Sequence, residues 1–120
     1  MPTVLIVEDE PTMREVLCQH LGRSYSCHAV WSAEQGLALL RAGAGVRVAV
    51  TDVRLPGMSG EEFLRAARAA RPGLPVIVVT GRDTDEAKFM EAGAFGYLLK
   101  PFRLEELDAL IERALGARKA

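Results

Sequence analysis

Apolar residues fall along this chain in two patterns: short unbroken runs, and longer stretches where they recur every three to four positions. Thr3-Val4-Leu5-Ile6-Val7, Val48-Ala49-Val50-Thr51 and Pro75-Val76-Ile77-Val78-Val79-Thr80 are the clearest runs. Each is rich in β-branched residues and stops at a turn signal, which predicts strands buried on both faces, as in parallel sheets. Tyr25-Ser26-Cys27-His28-Ala29-Val30 is more polar and predicts a strand nearer the sheet edge. Phe95-Gly96-Tyr97-Leu98-Leu99 predicts the last strand, delivering Lys100 and Pro101 to its end.

The helical spacing lies between these runs. Pro11 suits a first helical turn, where its missing N–H costs nothing, and Met13, Val16, Leu17 and Leu21 follow on one face up to Gly22. Ser32-Ala33-Glu34-Gln35 reads as a capping box opening a second helix with Leu37, Leu39 and Leu40, which Gly43 and Gly45 leave. Ser59 caps a third, with Phe63, Leu64, Ala67 and Ala70 as its buried stripe ahead of Pro72-Gly73. Asp83 or Thr84 caps a short fourth helix carrying Ala87, Phe89 and Met90, closed by Gly93. The fifth places Leu104, Leu107, Leu110, Ile111 and Leu115 on one side and stops at Gly116.

Five strands alternating with five helices predict an α/β fold, a doubly wound five-stranded parallel sheet with helices on both faces. At this size the flavodoxin-like strand order 2-1-3-4-5 is expected, with the switch point between the first and third strands. The 120 residues fit a single domain, 1–120.

Composition narrows the setting. Half of the residues are hydrophobic and the net charge is -1, so no basic footprint for nucleic acid is present. No apolar run approaches a membrane span. Cys18 and Cys27 form neither a Cys-x-x-Cys pair nor a zinc pattern, and read as reduced thiols of a cytoplasmic protein. His20 and His28 have no acid at ligand spacing, Trp31 reads as packing at the end of the second strand, and the Arg65-Arg68-Arg71 row as a solvated helix face.

The chemistry sits where the strands end. The first strand runs into Glu8-Asp9-Glu10 and the third into Asp52, while the fourth ends on Thr80 and the fifth on Lys100. Right-handed crossovers bring all of these to one edge of the sheet, where open α/β folds bind ligands. Three carboxylates gathered there repel one another unless a cation neutralises them. Magnesium fits, because it takes one or two carboxylates, keeps several waters and adds a phosphate oxygen. Thr80 offers a hydroxyl and Lys100 a compact cation for the phosphate.

Four segments, Val-Glu-Asp-Glu at residues 7–10, Thr-Asp-Val-Arg-Leu-Pro-Gly-Met-Ser-Gly at 51–60, Val-Thr-Gly at 79–81 and Gly-Ala-Phe-Gly-Tyr-Leu-Leu-Lys-Pro-Phe at 93–102, carry a family likeness. Over essentially its whole length the chain resembles the receiver domain of two-component response regulators. The resemblance implies that Asp52 accepts a phosphoryl group from a histidine kinase or phosphotransfer protein. It implies Mg2+ held directly by Asp9 and Asp52, through water by Glu8, and by the backbone carbonyl of Arg54. Thr80 and Lys100 are then expected on the phosphate, with the Val53 and Gly81 N–H groups completing the cradle and a cis peptide before Pro101. Thr80 and Tyr97 are the implied switch, acting on a face of helix 4, strand 5 and helix 5 that controls an output domain or downstream protein and supports a phosphorylation-dependent homodimer. Arg54 and Arg82 stand where family members line the path of attacking water, so they are expected to tune phosphoryl lifetime. Such a domain catalyses its own phosphorylation and dephosphorylation without being a conventional turnover enzyme.

Two other readings compete. A haloacid-dehalogenase-like phosphatase also sets an Asp nucleophile beside magnesium, but it needs a second acid where Arg54 stands. A receiver that never takes phosphate and serves as a docking module is the other, and the full acid, Thr and Lys set argues against it.

Overall fold

In a computed structural model of the chain, residues 1–81 and 86–119 are described, with side chains through residue 116. Five strands, β1 (Thr3–Val7), β2 (Ser26–Val30), β3 (Val46–Asp52), β4 (Val76–Thr80) and β5 (Gly96–Leu99), alternate with α1 (Pro11–Leu21), α2 (Ala33–Arg41), α3 (Gly60–Ala70), α4 (Glu86–Glu91) and α5 (Leu104–Lys119). All strand pairs are parallel, in the order β2-β1-β3-β4-β5. The expected order and its switch point between β1 and β3 are therefore present.

Strand alternation divides the core. Leu5, Val7, Ala49, Val76 and Val78 pack with Leu37, Leu40, Phe63, Leu64 and Phe89 of α2, α3 and α4. Val4, Ile6, Val48, Val50, Ile77 and Val79 pack with Leu17 and Leu21 of α1 and Leu107, Ile111 and Ala114 of α5. Successive side chains leave opposite faces of a strand, so a continuous apolar run is what a sheet covered on both sides requires.

Several helix-face expectations are corrected. Val16 is 44% exposed; it lies one residue, about 100°, around the helix from buried Leu17 and off the packed stripe. Ala70 has the right angle but is the last residue of α3 and is exposed, while Gly60 at the other end is buried. In α4 only Phe89 is buried, and Ala87 and Met90 are exposed, because a six-residue helix turns too little to aim several side chains inward. Gly116 does not stop α5, which runs to Lys119. A glycine inside a helix costs only about 1 kcal/mol, and Gly116 has no positive φ to end it. The proposed caps at Asp83 or Thr84 lie outside the described residues, as does Arg82.

The starts of α2 and α3 show two ways of capping a helix. Ser32 Oγ accepts from Gln35 N–H at 3.2 Å, but Gln35 Oε1 accepts from Trp31 N–H at 3.0 Å, one residue before the reciprocal partner a capping box uses. The full reciprocal box belongs to α3, between Ser59 and Glu62. Trp31 is 57% exposed and does not pack into the core; the Arg14 guanidinium lies 6.0 Å from its ring centroid.

His20 does have an acid partner, from far along the chain: its Nε2 lies 3.0 and 2.9 Å from the two carboxylate oxygens of Asp108, joining α1 to α5. The arginine row of α3 divides into three roles. Arg65 pairs with Glu61, Arg68 packs against Gly93, and Arg71 donates to Val46 O at 2.8 Å at the start of β3.

Candidate acidic site at the carboxyl edge of the sheet

β1, β3, β4 and β5 deliver Glu8, Asp52, Thr80 and Lys100 to one edge. Glu8, Asp52 and Thr80 are buried, whereas Asp9 lies exposed at the mouth. Carboxylate oxygens of Glu8, Asp9 and Asp52 lie within 4.8 Å of one another. Lys100 Nζ donates to Glu8 Oε1 at 2.9 Å and to Asp52 Oδ2 at 2.8 Å. The remaining oxygens of the two buried acids accept from the main chain, Glu8 Oε2 from Glu10 N–H at 3.1 Å and Asp52 Oδ1 from Arg54 N–H at 3.2 Å.

Burial sets the electrostatics. It pushes the Glu8 carboxyl above its usual range, with the Lys100 and Glu10 hydrogen bonds offsetting part of that rise. Burial would lower the Lys100 amine, but its hydrogen bonds to Asp52 and Glu8 outweigh this and raise it, so it stays charged at neutral pH. Among the described residues, the three carboxylates and the Lys100 ammonium that bridges two of them carry a formal excess of two negative charges. Asp9 makes no hydrogen bond or ion pair to another described residue. An all-oxygen donor set in which, among the described residues, one exposed carboxylate is unengaged suits a hard divalent cation.

Other predicted positions take their places around this centre. Lys100–Pro101 is a cis peptide. Lys100 N–H donates to Thr80 O at 2.7 Å, tying the end of β5 to that of β4. Gly81 follows Thr80 at the rim, with no heavy atom of the described residues beyond its chain neighbours within 4 Å of where a side chain would begin. Val53 opens the loop after Asp52, and its carbonyl accepts from Gly60 N–H at 2.9 Å. Arg54 reaches the centre through its backbone, and its guanidinium is exposed. Tyr97 is outside the acidic cluster: it pairs in register with Val78, two residues below Thr80 on the same sheet face, and its ring lies 6.1 Å from that of Phe89.

Glu10 is the N-cap of α1, accepting from Thr12 N–H and Met13 N–H, as an acidic run at a helix start suggests. Two supporting residues escaped the sequence reading. Arg14 Nη1 holds Glu8 O at 3.0 Å, and Glu34 reaches the loop after Asp52. Neither contact leaves a mark in the spacing.

The chain's relatives agree with this geometry. The family model described as "Response regulator receiver domain" matches residues 4–112. A cyclic di-GMP phosphodiesterase of Thermotoga maritima is 42% identical over 118 residues, covering 97% of this chain and 32% of the relative. This chain spans 24% of the regulator NtrC of Salmonella typhimurium and 51% of the response regulator PhoP of Pseudomonas aeruginosa. A receiver domain protein from Clostridium thermocellum superposes with a TM-score of 0.94 at 27% identity, covering 99% of this chain and 98% of the other. The response regulator TrrA of Thermotoga maritima, solved in complex with Mg2+–BeF, superposes at 0.88 with 26% identity, over 96% and 100% of the two chains. A domain match over nearly the whole chain, joined to the acid, threonine and lysine set at its expected edge, shows that the chain belongs to the response regulator receiver domain family.

Proposed function

We propose that Asp52 is the phosphoacceptor of this receiver domain, taking a phosphoryl group from the phosphohistidine of a histidine kinase or phosphotransfer protein. The observation that carries the reading is Lys100 Nζ bridging Glu8 and Asp52 while Asp9 supplies a third carboxylate within 4.8 Å. Asp9 and Asp52 would hold Mg2+ directly, with Glu8 through water and the Arg54 carbonyl as a further oxygen. When bound, the cation supplies charge neutralisation to phosphoryl oxygens.

The chain's own groups do the rest. An Asp52 oxygen attacks phosphorus; an O–P bond forms as the P–N bond breaks, and the bonding pair returns to the imidazole nitrogen. The Lys100 ammonium, already on Asp52, is placed to pair with a phosphoryl oxygen, and the Thr80 hydroxyl and the Val53 and Gly81 N–H groups donate to the others. Positioning and fixed charge dominate in such transfers. Arg54 and Arg82 tune the lifetime of the product by shielding phosphate or ordering water.

Phosphorylation adds charge and acceptor oxygens at one point. Thr80 moves toward them and Tyr97, on the same face of the sheet, turns inward, which changes the surface of α4, β5 and α5 that meets an output domain, a downstream protein or a second copy. The domain acts in the cytoplasm without contacting nucleic acid itself. Incubation with acetyl phosphate and Mg2+ is expected to add the mass of one phosphoryl group to the wild type and none to Asp52→Asn. A mass gain that survives Asp52→Asn overturns the assignment.

A further inference from the structure

The loop from Val53 to Ser59 carries two main-chain groups that the proposed reaction needs, the Val53 N–H and the Arg54 carbonyl. Its two ends are tied locally. Arg54 N–H donates to Asp52 Oδ1, Gly60 N–H donates to Val53 O at 2.9 Å, and the Ser59–Glu62 box starts α3. The middle, Leu55-Pro56-Gly57-Met58, is tethered from another element altogether. Glu34, in the first turn of α2, accepts from Met58 N–H through Oε2 at 3.2 Å. The same oxygen lies 2.8 Å from the point where a Cβ of Gly57 would stand, and Gly57 has φ +72. The backbone angle favours glycine at residue 57, and the Glu34 carboxylate packs into the space that its missing side chain leaves. The start of α2 is also a favourable place for that carboxylate, since the helix N-terminus is electropositive.

From this we infer that Glu34 is a positioning residue for the phosphoacceptor site: by clamping Met58 it holds the loop after Asp52 in the shape that presents the Val53 N–H and the Arg54 carbonyl. The inference rests on the function proposed above, and it deepens that reading by extending the site to α2. A loop freed of this tether samples shapes in which the two groups point elsewhere, so the cation and the phosphoryl group both lose contacts without any change in the acids themselves.

The test compares wild type, Glu34→Ala and Glu34→Gln by three measurements. They are Mg2+ affinity by calorimetry, the rate of phosphorylation by acetyl phosphate, and amide hydrogen exchange at Met58 by NMR. Glu34→Ala is expected to speed Met58 exchange and to weaken Mg2+ binding by about 2- to 10-fold, the range of one exposed hydrogen bond. Phosphorylation at subsaturating Mg2+ should slow in step. Glu34→Gln keeps an acceptor oxygen and should restore all three toward wild type, which a role through charge alone would not do. Wild-type Mg2+ affinity in Glu34→Ala, or equal impairment in the Gln and Ala variants, overturns the inference. If the wild type takes no phosphoryl group while Met58 exchange and Mg2+ affinity still respond to Glu34→Ala, the proposed function fails and the clamp stands.

Discussion

Lys100 holds Asp52 from 48 residues away, its Nζ 2.8 Å from Asp52 Oδ2, and the same ammonium also bonds Glu8. One cation therefore spans two buried acids while the third, Asp9, at the mouth, has no hydrogen-bond or ion-pair partner among the described residues. The arrangement is poised: its charge is balanced enough to fold, and unbalanced enough to favour a divalent ion. Neutralising Asp9 should separate these two properties.

For Asp9→Asn without divalent metal, the loss of like-charge repulsion should raise the thermal midpoint by about 1 to 3 °C. In magnesium the order reverses. Wild type should gain roughly 2.7 kcal/mol at a hundred times its Kd, by mass action, and the variant should gain little. Melting curves across a magnesium series decide it; parallel gains in both proteins would remove Asp9 from the proposed ligand set. Glu8 adds a pH signature to the metal-free state. Burial raises its folded-state pKa, so its stabilising contribution is full below the unfolded value near 4.5 and is lost as pH rises through the higher folded value.

Gly60 links the fold to the same centre. It begins α3 directly beneath the strand end, and a Cβ there would overlap the Asp52 carbonyl oxygen and lie 2.6 Å from Val53 Cα. Backbone atoms cannot swing aside as a long side chain does, so Gly60→Ala should cost about 2 to 3 kcal/mol and slow phosphorylation. Gly73→Ala, where no heavy atom lies within 4 Å of the new carbon, should stay within about 0.5 kcal/mol of wild type. Urea unfolding of both variants, read beside their phosphorylation rates, checks the contrast.

What the sequence displayed, and what it hid, follow one physical division. Val76–Thr80 was legible because a strand buried on both faces must be apolar at every position, and Asp52 and Lys100 because polar groups at the ends of such runs stand out. Parallel topology then placed them together with no further information. Side-chain partners chosen in three dimensions were hidden. His20 meets Asp108 across 88 residues, and Glu34 meets Met58 across 24, with nothing in the local pattern to announce either pair. Exposure beside a helix stripe was hidden too, since Val16 is apolar and adjacent to buried Leu17 yet faces solvent.

Cys27 gives a prediction independent of the acidic site. It sits on β2 beside Cys18 of α1, and burial, with the neighbouring Cys18 thiol adding to it, pushes the Cys27 thiol up from 9.0 to about 11. Thiolate is the reactive form, so near pH 8 Cys27 should alkylate with iodoacetamide roughly 100-fold or more slowly than a free cysteine. The linkage to stability has a definite sign. A folded-state value above the unfolded one means that the contribution is complete below about pH 9 and disappears as pH climbs toward 11, because the unfolded chain releases that proton first. Replacing Cys27 with serine should therefore flatten the part of the alkaline stability loss that belongs to this thiol. Urea midpoints measured from pH 8 to 11 for both proteins would show parallel declines if this half-buried thiol has no part in it.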